Sequence, residues 1–190
     1  MKQIAVFTSG FSRGSNFLAI CEYIRLHGLP VNIRYLFVTD RNAPIIEHAQ
    51  ALGIEIVYYD SDVKLNDFLV DLCEAKPVDL IVLAGFMRKF SSLFFQKIDT
   101  PIVNIHPALL PKYGGKGMFG MNVHRAVFEA GEKVSGATVH FVNENYDEGE
   151  VILQKECDIS MCGSAEEVGK VVLGIEHEIY PMAIWGFLKV

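Results

Sequence analysis

Apolar runs of strand length alternate with segments of helical period through most of this chain, and that alternation restricts its fold more than any other feature. Ile4 to Thr8 reads as a buried strand, and Phe17, Ile20, Cys21 and Ile24 then recur at helical spacing until Gly28 ends the helix. Ile33 to Thr39 is a second strand. Pro44 opens a short helix that stops at Gly53, and Ile54 to Tyr59 is a third strand. Leu65, Phe68, Leu69 and Leu72 mark another helix. A strand at Leu80 to Leu83, a short helix near Ser91 to Lys97 and a strand at Ile102 to His106 follow. The Gly-rich segment Gly114 to Gly120 precedes a helix around Val123 to Ala130. Gly136 to Val142 and Val151 to Asp158 then read as two strands joined by a polar turn, Asn143 to Glu150. Ser164-Ala165-Glu166-Glu167 is a capping box opening the last helix, which Pro181 is expected to kink or split. Strand and helix in alternation predict an α/β fold, a mostly parallel sheet with helices on both faces, to which the late hairpin adds antiparallel pairing.

The 190 residues fit one domain, 1–190, and with 51% apolar residues the chain can bury a large single core. A net charge of -6 argues against a nucleic-acid surface. No apolar run reaches the roughly 18 residues of a membrane helix. The apolar start, Ile4 to Phe7, is too short for a signal peptide. Cys21, Cys73, Cys157 and Cys162 show no C-x-x-C spacing and read as reduced thiols of a cytoplasmic protein. Disulfides in a secreted domain are the alternative, though a core of this size needs no such staples.

Four segments carry candidate chemistry. Thr8-Ser9-Gly10-Phe11-Ser12-Arg13-Gly14-Ser15-Asn16 joins the first strand to the first helix, where backbone N–H groups make an anion site. It matches neither dinucleotide nor nucleoside-triphosphate fingerprints, so a mononucleotide phosphate fits better; an ordinary turn with Ser15 or Asn16 as N-cap is the plain reading. Asn104 and His106 are two apart on a strand that Pro107 ends, so they share a face and offer an amide donor and an imidazole to one carbonyl. A hydrogen-bonded core histidine with a neighbouring Asn reads as well. Asp147, in Tyr146-Asp147-Glu148-Gly149, is a carboxylate that would raise a neighbouring imidazole's pKa, or simply part of a solvated turn. Phe86, Met87 and Phe90 make an apolar slot for a flat ring with Arg88 or Lys89 reaching a carboxylate, or else pack into the core. His27, His48, His124, His140 and His177 fall in no H-E-x-x-H or Cys/His ligand spacing, so metal-free catalysis is expected.

Taken together the segments resemble the phosphoribosylglycinamide formyltransferase family, from Ile4 to about Pro181. The most specific stretches are Leu83-Ala84-Gly85-Phe86-Met87-Arg88 and Asn104-Ile105-His106-Pro107-Ala108-Leu109-Leu110-Pro111. Gly136 to Val142, Asp147-Glu148-Gly149 and Glu176 to Pro181 also match. The resemblance implies a Rossmann-like formyltransferase fold and transfer of a formyl group from 10-formyltetrahydrofolate to glycinamide ribonucleotide. It aligns Asn104, His106 and Asp147 with a catalytic trio, and Gly14-Ser15-Asn16 with a phosphate loop. Glu176 aligns with a ribose-binding carboxylate, and Met87, Arg88, Lys89 and Phe90, together with Asn104, with the folate site. In the mechanism it implies, the substrate's own amine attacks the formyl carbon, and Asn104 and a protonated His106 stabilise the oxyanion. Asp147 keeps the ring charged.

The chain departs from its relatives in a phosphate loop about two residues longer, through Phe11-Ser12-Arg13, where the Arg13 guanidinium either reaches the phosphate or stays in solvent. Tyr113 to Met121 is long and Gly-rich, Asn122 stands where many relatives carry His, and the sequence ends at Val190. Methionyl-tRNA formyltransferase and formyltetrahydrofolate hydrolase share the core but normally carry a further domain. A nucleotide-binding module without catalysis is the alternative of another class.

Overall fold

The computed structural model describes residues 1–10, 14–59 and 62–189. Its strands are β1 (Lys2–Thr8), β2 (Val31–Val38), β3 (Glu55–Tyr58), β4 (Leu80–Leu83), β5 (Ile102–His106), β6 (Val134–Phe141) and β7 (Val151–Asp158). The helices are α1 (Ser15–Leu26), α2 (Ile45–Ala51), α3 (Leu65–Ala75), α4 (Ser92–Lys97), α5 (Met121–Glu129) and α6 (Ala165–Leu188). The strands form one sheet in the order β3-β2-β1-β4-β5-β6-β7. The α/β reading therefore holds, with β1 parallel to β2 and β4, β2 parallel to β3, and β6 antiparallel to β7. The chain divides into two compact units, Met1–Val103 and Asn104–Val190.

In the first unit β1 lies between β2 and β4, and Ile4, Ala5, Val6 and Phe7 are fully buried. Burial on both faces is why this strand is apolar without alternation. Ile4, Val6 and Phe7, fully buried, each contribute roughly 1.5–3 kcal/mol. Lys2 and Gln3 extend the strand beyond its apolar part because their backbones pair with Val31 and Asn32, whatever their side chains. The carboxyl ends of β1 and β4 are tied through Ser9. Its N–H donates to the Gly85 carbonyl at 3.1 Å, and its Oγ accepts from the Met87 N–H at 2.7 Å. Phe7 and Phe37 continue into a row in which Phe86 stacks on Phe90 and Phe90 on Phe94.

In the second unit β6 is buried along most of its length and β7 is largely exposed. Gly136 lets them approach: a Cβ there would stand 2.1 Å from the Lys155 carbonyl oxygen. The Ser164 hydroxyl caps α6 by accepting from the Glu167 N–H at 3.2 Å. The Glu167 carboxylate closes the box on the Gly163 N–H at 2.7 Å, one residue before the usual partner. The expected split at Pro181 does not occur. A proline removes one ladder bond, but Ile179, Tyr180, Pro181, Ala183 and Ile184 are all buried, and that packing keeps α6 continuous.

Candidate active site

The carboxyl end of β5 and the hairpin β6–β7 build one polar cluster inside the second unit. After His106 the chain is clamped to the hairpin. The Thr138 hydroxyl donates to the Ala108 carbonyl at 2.7 Å and accepts from the Leu110 N–H at 3.1 Å. Gln154 Nε2 donates to the Leu110 carbonyl and to Thr138 Oγ1. On the other side, the turn between β6 and β7 brings Asp147 in. Asp147 has φ +57°, a left-handed conformation that Asp tolerates better than most residues. Gly149 presses against β6 so closely that a Cβ would lie 1.7 Å from the Phe141 carbonyl oxygen.

Four side chains meet as a result. His106, 3% exposed, donates from Nε2 to the Tyr113 carbonyl at 2.8 Å and turns Nδ1 toward Asp147 Oδ2 at 3.6 Å. His140, 2% exposed, donates from Nδ1 to the Phe141 carbonyl at 2.8 Å. That bond leaves its Nε2 as an acceptor, and Asn104 Nδ2 donates to it at 3.3 Å. Asp147 Oδ1 stands 3.7 Å from the same nitrogen, and Oδ2 accepts from the Gly115 N–H at 2.8 Å.

The electrostatics correct one expectation. Asp147 does act to raise the His106 pKa, but burial acts more strongly, so the ring lies below the ordinary imidazole value. His140 is lowered for the same first reason, with Phe141 and Asp147 opposing. Both rings are therefore neutral at rest near neutral pH, and Nδ1 is the nitrogen of His106 that takes up a proton.

The remaining expected residues are placed as follows. Gly14 is the N-cap of α1 at φ +76°, with no side-chain cap, so neither Ser15 nor Asn16 fills that place. A Cβ at Gly14 would meet Ile45 at 2.8 Å. Ser15 and Asn16 form the first turn of α1, which carries no acidic residue. Phe11, Ser12 and Arg13, the extended loop, lie outside the described residues. Phe90 is buried in the aromatic row, whereas Met87, Arg88 and Lys89 are exposed. Glu176 lies in α6, 9% exposed. Asn122 Nδ2 donates to the Gly117 carbonyl at 3.1 Å and so pins the Gly-rich segment. Among the described residues no group of three or more His, Cys, Asp or Glu side chains is arranged to hold a metal ion, and no helix is long and apolar enough to cross a membrane.

Residues 2–184 match the formyl transferase family. The chain belongs to that family. It is 37% identical over 185 residues to the chloroplastic phosphoribosylglycinamide formyltransferase of Arabidopsis thaliana, covering 94% of this chain and 63% of that protein. It thus spans about three fifths of the plant relative's length. The phosphoribosylglycinamide formyltransferase of Haemophilus influenzae is 35% identical, with 100% of this chain and 88% of that protein covered. Among solved structures, glycinamide ribonucleotide transformylase 1 from Symbiobacterium toebii superposes with a TM-score of 0.85 at 32% identity, covering 97% and 86% of the two chains.

Sequence reasoning assigned no role in this formyl transferase to His140, to Tyr113 or to Gly115. His140 had a usable signal, since it lies two residues after Thr138 on one face of β6. Tyr113 and Gly115 act through backbone groups, which no side-chain pattern records.

Proposed function

We propose that this formyl transferase moves the formyl group of 10-formyltetrahydrofolate to the glycyl amine of N1-(5-phosphoribosyl)glycinamide, a step of purine biosynthesis. The observation that carries the reading is the meeting of Asn104, His106 and Asp147 in one part-buried cluster. The substrate amine is the nucleophile, so no enzyme Ser or Cys is needed. As its nitrogen bonds to the formyl carbon, the carbonyl oxygen becomes an oxyanion, and an Asn104 N–H donates to it as a preorganised group. The amine's proton passes to His106 Nδ1, neutral at rest, and the imidazolium so formed is stabilised by Asp147 and by the oxyanion. When the carbon–nitrogen bond to the folate breaks, that proton goes to the leaving nitrogen and His106 returns to neutral.

For binding, we assign the nucleotide phosphate to Gly14, Ser15 and Asn16 at the start of α1, and the ribose hydroxyls to Glu176. The folate falls to Met87, Arg88, Lys89 and Phe90, with Asn104 at its formyl group. We take residues 1–190 as one formyltransferase domain working in the cytoplasm, a reading supported by four free cysteines. The deciding assay supplies 10-formyltetrahydrofolate to purified protein with and without glycinamide ribonucleotide. Formylated nucleotide, with no folate turnover in its absence, is the expected result. Turnover without the nucleotide would make the protein a hydrolase, and tight nucleotide binding without turnover a non-catalytic module.

A further inference from the structure

The Tyr113 carbonyl that receives the His106 Nε2–H belongs to a residue with φ +57°. A residue with a Cβ seldom occupies that region, and it does so only where its surroundings over-determine it. Tyr113 borders a cleft of about 240 Å³ with Leu109, Val127 and Val134, and one side-chain contact holds it in place. Its hydroxyl donates to Glu132 Oε1 at 2.9 Å, just beyond the end of α5. Lys112 Nζ reaches the same oxygen at 3.3 Å, but its side chain is 72% exposed, so solvent screens that contact.

The next residues of the turn serve the other half of the cluster. The Gly115 N–H donates to Asp147 Oδ2 at 2.8 Å. A Cβ at Gly114 would lie 2.6 Å from Leu110 Cδ2 and 3.2 Å from Asp147 Cβ, so the turn packs directly on that side chain. One short stretch of backbone therefore sets both the ring plane of His106 and the carboxylate beside it. Its side-chain anchor lies outside the cluster, on Glu132.

Resting on the reading of this centre as a formyl-transfer site, we propose that Glu132 is a positioning residue: through the Tyr113 hydroxyl it holds the Tyr113–Gly115 turn that orients His106 and Asp147. Glu132 touches no reacting group and acts only through Tyr113. Because the anchor is a single hydrogen bond, removing either partner has the same effect, and removing both adds nothing.

The test compares Tyr113→Phe, Glu132→Ala, the double variant and Glu132→Gln, which keeps an acceptor oxygen. In steady state both single variants lose about tenfold in kcat with little change in either KM, less than the roughly 10²-fold that an ångström of misplacement can cost. The double variant is no worse than either single one, and Glu132→Gln recovers most of the loss. The independent readout is the ¹⁵N shifts of the His106 ring at a pH where it is neutral. They report the Nε2–H form in the wild type and a mixture of tautomers in Tyr113→Phe and Glu132→Ala. Wild-type ring shifts in both single variants overturn the proposal even if kcat falls, and so do additive losses in the double variant. If the wild type itself transfers no formyl group, the functional reading fails, and the ring shifts alone decide the role of Glu132.

Discussion

Asn104 presents an N–H to His140 Nε2, and it does so because the other nitrogen of His140 is committed to the Phe141 carbonyl. The histidine thus fixes which way the Asn104 amide faces. In His140→Ala the amide is free to turn, and kcat is expected to fall about tenfold, short of the roughly 10²–10³ for losing an oxyanion donor outright in Asn104→Ala. Steady-state kinetics on both variants check this order. A His140→Ala enzyme with wild-type kcat would remove His140 from the site.

Asp147→Asn is expected to lower the His106 pKa further, since the carboxylate is the larger of the two influences that raise it against burial. The acid limb of kcat/KM, where the neutral ring is lost, then moves to lower pH, while the maximum falls because the imidazolium loses its partner. NMR titration of the His106 ring in both proteins gives the sign directly. Equal values would reduce Asp147 to a turn residue.

Burial holds four imidazoles, those of His106, His124, His140 and His177, below their ordinary value. The unfolded chain therefore binds more protons than the folded one in mildly acidic solution. Stability is full above the unfolded value of about 6.5 and drains away as the pH drops from there toward the lowered folded values. Thermal unfolding between pH 7.5 and pH 5.5, roughly the imidazole range, should show a falling Tm. A flat Tm over that interval would mean that these rings charge freely in the folded protein.

Gly149→Ala should push the Phe141 carbonyl away from His140, since the added methyl would start 1.7 Å from that oxygen. We expect a loss of roughly 1–3 kcal/mol from overpacking, together with a drop in kcat from the displaced histidine. Gly174→Ala is the contrasting case. Its Cβ would meet nothing within 4 Å in the middle of α6, so it should stabilise by roughly 0.5–1 kcal/mol. Calorimetry on the pair is the check, and a Gly149→Ala protein as stable and active as the wild type would show that the hairpin yields without cost.

Much of the architecture was legible because it is written in side-chain periodicity. The strands Leu80–Leu83, Ile102–His106 and Val151–Asp158 run as their apolar patterns predict, and Asn104 and His106 share a face because the period of a strand is two. What escaped depends on terms the pattern does not carry. The protonation of His106 follows from how deeply its ring is buried, and that outweighs the Asp147 carboxylate that sequence could see. The part played by Tyr113 resides in a carbonyl oxygen, which every residue has. Of the kink or split that Pro181 predicts, the split is absent, because the apolar faces around it hold α6 together.

Strand β7 stands at one end of the sheet with much of its length open to water, and Lys155 and Glu156 lie exposed near its middle. An open strand of this kind is a template on which another molecule can grow, and repetition of that step leads to fibres. Here the invading strand would have to strip water from Lys155 on one face of β7 and from Glu156 on the other. The same exposed charges that make β7 look poorly protected thus work against polymerisation at that edge.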